Sequence, residues 1–155
     1  MLSSIFEKPI VVPIDRSLPL SLPFGGYEIY QQDERSLEIA TLDISWIFLK
    51  SSFHPENPKI ITLEQKLTSL YEREYISLDL QVFWELWLAR FFLPGSWRWL
   101  SPIFFDGTVL KDKTANEFYV ICMYLCEKGE WVYGRCWFDQ YWQSKFFVAT
   151  LKCPS

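Results

Sequence analysis

Apolar and polar positions alternate most regularly between Glu117 and Leu151. Three apolar runs lie there, divided by Glu127-Lys128-Gly129-Glu130 and by a polar-aromatic patch around Asp139-Gln140. β-Branched and aromatic residues dominate the stretch, as suits a pleated, half-buried surface. The pattern predicts an antiparallel β-meander against which the remaining chain packs. With Lys128-Gly129 as a tight hairpin loop, Glu127 faces Glu130, Cys126 faces Trp131, Tyr124 faces Tyr133 and Cys122 faces Arg135. Side chains repeat with a period of two. Tyr119, Ile121, Met123 and Leu125 then share an ordinary core face with Val132, Gly134, Cys136 and Phe138. The opposite face carries Val120, Cys122, Tyr124 and Cys126 with Trp131, Tyr133, Arg135 and Trp137. With Asp139-Gln140 as the next turn, Trp142, Phe146 and Val148 join it.

That second face supports two readings. Both faces are buried if the sheet closes into a barrel or is covered on each side. Alternatively, Trp131, Tyr133, Arg135, Trp137 and Trp142 form a partly open platform for a partner, since Trp, Tyr and Arg dominate binding hot spots.

Upstream, prolines and glycines punctuate residues 1–26, with Ile10-Val11-Val12 as a short edge strand. Leu18, Leu20, Leu22 and Phe24 in this Pro-rich arm suggest docking on the domain surface, more than a polyproline ligand for another protein. Residues 27–50 read as a β-hairpin joined by Gln32–Ser36, with a parity switch near Ala40-Thr41 that suggests a bulge. His54-Pro55-Glu56-Asn57-Pro58 is a loop by composition. Thr62 and Gln65 form a capping-box pair opening an amphipathic helix from Leu63 to about Tyr75. A second helix, Leu78 to about Leu93, is capped by Ser77 and apolar on most of its circumference, so it belongs against the sheet. Residues 97–152 complete the domain, with a short strand at Ile103–Phe105, a turn at Asp106-Gly107 and a return at Thr108–Leu110. The expected architecture is one α+β domain: a bent antiparallel sheet, or a partly open small barrel, packed on two consecutive helices.

Composition narrows the function. Half of the 155 residues are hydrophobic and 19 % are aromatic, so a substantial core forms without disulfide staples. The net charge is −4, and the charges are spread without a basic block. Nucleic-acid affinity rests mainly on phosphate neutralisation, so this balance disfavours it. The first residues lack the basic lead and apolar length of a signal peptide, and Leu78–Phe105 is broken by charges, Pro94 and Gly95. A soluble cytoplasmic protein with reduced cysteines is therefore expected.

Candidates for chemistry are sparse. The single histidine, His54, sits in the Pro-flanked loop. Cys122 and Cys126 are separated along one strand by roughly 13 Å, too far to share a metal, and Cys136 points the other way in the register above. Asp43, Asp79, Glu85 and Asp106 lie in apolar contexts that can shift a carboxyl pKa; Glu85, on the most buried helix, is the one singled out. No phosphate-binding glycine loop or nucleophile elbow is present. No metal or cofactor is expected. The favoured function is a non-catalytic protein–protein interaction module (an adaptor, inhibitor or immunity-type protein), with another protein or a second copy as partner. The alternative is a small-ligand or single-stranded nucleic-acid binder using the same aromatic face.

Overall fold

The computed structural model describes residues 8–51, 62–143 and 145–154. His54 and its loop lie outside them. The chain forms an α+β domain around a curled, mostly antiparallel sheet that makes a half-barrel. In chain order the elements are β1 (Val11–Pro13), β2 (Tyr27–Gln32), α1 (Glu34–Leu37), β3 (Thr41–Asp43), β4 (Phe48–Ser51) and α2 (Leu63–Thr68). They continue with β5 (Tyr75–Ser77), α3 (Leu80–Leu88), β6 (Ile103–Asp112), β7 (Phe118–Leu125), β8 (Trp131–Trp137), α4 (Phe138–Gln143) and β9 (Phe147–Lys152). The main sheet has the order β4-β9-β6-β7-β8; β2 pairs with the second half of β6, and β5 with the end of β9. β6 and β9 run parallel, and the other pairings are antiparallel.

Both faces of this sheet are covered. On one, Ile103, Phe105, Leu110, Tyr119, Ile121 and Met123 pack with Phe83 and Leu86 of α3. Leu20, Leu22 and Phe24 of the N-terminal arm close over the same layer, and Ser21 O accepts from Trp84 Nε1 at 2.6 Å, whereas Leu18, expected to dock with them, is exposed. On the other face, Phe104, Val109, Val120 and Cys122 pack with Leu67 of α2 and with Phe138, Tyr141 and Trp142 of α4.

Five expectations are corrected. First, the β7–β8 loop spans residues 126–130, because Leu125 pairs with Trp131. Cys126 N donates to Glu130 O at 2.9 Å, and Gly129 supplies the left-handed φ of 77°. The longer loop avoids setting Glu127 directly against Glu130 and moves the register by one residue. Second, the run after Trp137 is not a turn back along β8. Phe138, Tyr141 and Trp142 have the i, i+3, i+4 spacing of a helix face, and α4 uses it to bury all three. β9 then crosses to the far side of β6. Third, Asp106-Gly107 is a bulge within one ten-residue strand, marked by a register shift between Phe105 and Leu110. A Cβ on Gly107 would lie 2.3 Å from Ser77 O and 2.4 Å from the Leu78 carbonyl carbon, so only glycine lets β5 and α3 approach here.

Fourth, residues 27–50 do not form a hairpin. β2 pairs with β6, β3 with β1 and β4 with β9, while the connector around residues 33–37 becomes α1, capped by Asp33. Fifth, the two helices are shorter than expected. The Thr62/Gln65 capping box forms, but α2 stops at Thr68 and Tyr75–Ser77 is a strand. α3 is capped by Asp79 rather than Ser77, and breaks into 3-10 turns at Arg90–Phe92 and Gly95–Trp99. No helix among the described residues is long and apolar enough to cross a membrane.

Candidate functional site

The corrected register places Trp131, Tyr133, Arg135 and Trp137 opposite Leu125, Met123, Ile121 and Tyr119, toward α3. Tyr133 sits edge-on to Phe83, Trp84 and Trp87 at centroid distances of 6.0, 5.3 and 5.0 Å. Trp131 is half-buried against the same cluster. Arg135 is exposed, but its guanidinium lies 5.0–5.1 Å from the ring centroids of Phe24, Tyr27 and Tyr119 and donates to Tyr27 Oη. Trp137, exposed at the sheet edge, donates from Nε1 to Tyr119 Oη at 2.5 Å. Trp142 is buried in the opposite layer. The five residues therefore do not share one surface.

A different aromatic surface is open. Where α3 ends, Leu88, Phe91, Phe92 and Trp99 are 72, 82, 63 and 89 % exposed. Residues 88–99 contain Arg90 and Arg98 and no acidic residue, within a chain of net charge −4. The Arg90 guanidinium lies 4.4 Å from the Trp87 ring centroid and 4.8 Å from that of Phe91, and donates to Trp87 O at 2.9 Å. Arg90, Phe91, Leu93, Arg98, Glu130 and Trp131 line a cleft of about 380 Å³. Trp131 thus links β8 to this surface. A helix as apolar as α3 reads as wholly buried. The short α3 and its 3-10 continuation instead turn the last apolar side chains outward. Six large apolar residues within residues 88–99, punctuated by Pro94-Gly95, are the signal that sequence reasoning passed over.

The second feature is a buried polar corner where α1, β5, α3 and β6 meet. Asp79 is fully buried and takes a bidentate pair from Arg16, Nη1 and Nη2 each at 3.0 Å. Ser36 Oγ and the Gln81 and Val82 amides complete its shell. Burial pushes the Asp79 carboxyl up, but the Arg16 and Ser36 hydrogen bonds outweigh it and hold the group below the usual range. Asp33, also buried, pairs with Arg35 at 2.7 Å and accepts from Ser77 N at 3.0 Å. Asp106 is buried too, yet no arginine reaches it among the described residues. Its Oδ2 accepts from Tyr141 Oη at 2.6 Å, and Oδ1 has no hydrogen-bond partner among the described residues. Burial pushes its carboxyl up to about 6, opposed by the Tyr141 and Ser77 hydroxyls. Glu85, singled out from the sequence, is only half-buried.

Cys122 and Cys136 do not offer a nucleophile by environment, since burial raises both thiols. Cys122 and Cys136 share a sheet face in the corrected register, and burial, with Cys136 nearby, pushes the Cys122 thiol up to about 12. Among the described residues no group of three or more His, Cys, Asp or Glu is placed to hold a metal ion. No protein family, curated protein or solved structure matches the chain.

Proposed function

We propose that this protein is a non-catalytic binding module that docks a protein segment carrying acidic and apolar side chains. The contact surface is the cleft between Trp131 and residues 88–99. One observation carries the reading: Leu88, Phe91, Phe92 and Trp99 are exposed beside an exposed Arg98 and a half-buried Arg90. Clustered exposed apolar side chains mark interaction sites on soluble domains, and Arg beside aromatics is the make-up of a binding hot spot. Arg90 and Arg98 outnumber Glu130, the one acid in the cleft wall, and so favour a partner with carboxylates. A second reading, a small apolar anion in the same cleft, is favoured by the cleft volume of about 380 Å³, within the range of small-molecule pockets.

The test is selection of a displayed random-peptide library on the immobilised full chain. A Phe91→Ser/Trp99→Ser variant and a Trp46→Ser variant, altered at another exposed tryptophan, are selected in parallel. Wild type and Trp46→Ser are expected to enrich peptides that combine Asp or Glu with Phe, Leu or Trp, and the double variant to enrich none. Equal enrichment on all three proteins removes the reading. Sedimentation with phosphatidylserine vesicles, lost in the double variant, replaces the protein partner with a membrane surface. A stable dimer of wild type that dissociates in the double variant makes the patch a self-interface.

A further inference from the structure

The geometry points to a second binding site, separate from the aromatic cleft, in which Asp106 receives a primary ammonium group about the size of methylammonium. Asp106 closes a small cavity bounded by β4, β5, β9 and α4, with Lys50, Ser51, Tyr75, Ser77 and Tyr141 among its walls. It is 4 % exposed. Its Oδ1 and the Ser51 Oγ are both buried and without a hydrogen-bond partner among the described residues. Leaving such atoms unmatched is costly, and more so when one carries charge. Buried orphans in a native fold mark a bound water or ion.

Size, charge and geometry narrow what binds. The cavity offers about 30 Å³ to the centre of a water-sized group, and about 10–15 Å³ holds one water. The part of this partly open cavity beside Asp106 suits a small head group. Two waters would satisfy the hydrogen bonds but not the charge. An anion is repelled by Asp106. An ammonium brings three donors. Asp106 Oδ1 and Ser51 Oγ accept two of them. The Tyr75 ring in the wall is already occupied, stacked on Phe48 and with Lys50 Nζ 5.3 Å from its centroid. Lys50 does not fill the role itself, because its ammonium is paired with Glu72. Its charge is the weakest of the named influences on Asp106. The charged or titratable groups around Asp106 are Lys50, Glu72, Tyr75 and Tyr141, with Tyr71 and Asp33 acting through space. Ligand affinity therefore falls as Asp106 takes up its proton.

The experiment follows the melting temperature of the full chain near neutral pH in increasing methylammonium chloride. Sodium chloride and tetramethylammonium chloride at matched ionic strength serve as controls. The expected result is a saturable rise in methylammonium alone, absent in Asp106→Asn. Ser51→Ala is expected to need about tenfold more ligand for the same rise. Where Asp106→Asn does not fold, the Ser51→Ala shift carries the test. Identical melting in the three salts means that the cavity holds water only, and overturns the site. So does an undiminished response in Asp106→Asn or in Ser51→Ala.

Discussion

Asp79 and Asp106 are both buried carboxylates beside the Ser77–Leu78 backbone, and the fold treats them differently. Asp79 is matched: a bidentate arginine, a serine hydroxyl and two helix N-terminal amides use its lone pairs. It ties the N-terminal arm to the start of α3. Asp106 is mismatched: the Tyr141 and Ser77 hydroxyls offset its burial only in part, Oδ1 has no hydrogen-bond partner among the described residues, and a small cavity lies beside it. A buried charge that is paired and hydrogen-bonded holds structure together. One without a cation raises its own pKa and weakens the fold near neutral pH. The difference separates a structural acid from one whose burial serves another purpose.

The largest effect is expected from making Asp79 resemble Asp106. Arg16→Met strands a buried carboxylate and is expected to cost about 3–5 kcal/mol near pH 7. Chemical denaturation across pH checks this: the loss shrinks in acid, once the stranded Asp79 is protonated. Slightly smaller is the reverse change. The folded pKa of Asp106 is raised from 3.8 to about 6, so the native state binds the proton more tightly than the unfolded chain. Its stabilising contribution is present below the unfolded value and is lost as pH rises through about 6. Asp106→Asn is therefore expected to gain up to about 3 kcal/mol at pH above that range, and nothing near the unfolded pKa. A variant no more stable than wild type at any pH breaks the comparison. The smallest effect belongs to Tyr141→Phe, which removes the hydroxyl that donates to Asp106 Oδ2. It is expected to cost about 1–2 kcal/mol and to move the Asp106 titration upward, read from carboxyl carbon shifts by NMR.

Elements that depend on local pattern were legible in the sequence. The strand at Val11–Pro13, the Thr62/Gln65 cap and the β7–β8 hairpin each follow from neighbouring residues. What depends on distant partners was not. Lys-Gly suits a two-residue loop and a longer one equally, and that single residue of slip moved Trp131, Tyr133, Arg135 and Trp137 to the other face. Asp-Gly signals both a turn and a bulge, and only the approach of Ser77 to Gly107 decides between them. Asp79 and Asp106 looked alike along the chain. The arginine that distinguishes Asp79 lies 63 residues away, and nothing in the spacing places it. The open patch at residues 88–99 was hidden because an apolar helix reads as core until its end, and its lack of a covering layer, is seen.

The position of β9 bears on how the chain acquires this fold. β9 lies between β4 and β6, and Thr150 Oγ1 bonds to Phe48 O across 102 residues. As the chain is synthesised, β4 and β5 have no strand to pair with until residues 147–152 have emerged. The early half waits with exposed, β-prone edges while the β6–β7–β8 portion can already assemble from near neighbours. Contacts of such sequence separation slow folding, and unpaired strands awaiting a late partner are where aggregation begins. Refolding with a burst of local sheet formation, followed by a slow step that protects the β4 and β5 amides, is the kinetic signature of a sheet closed by its latest strand.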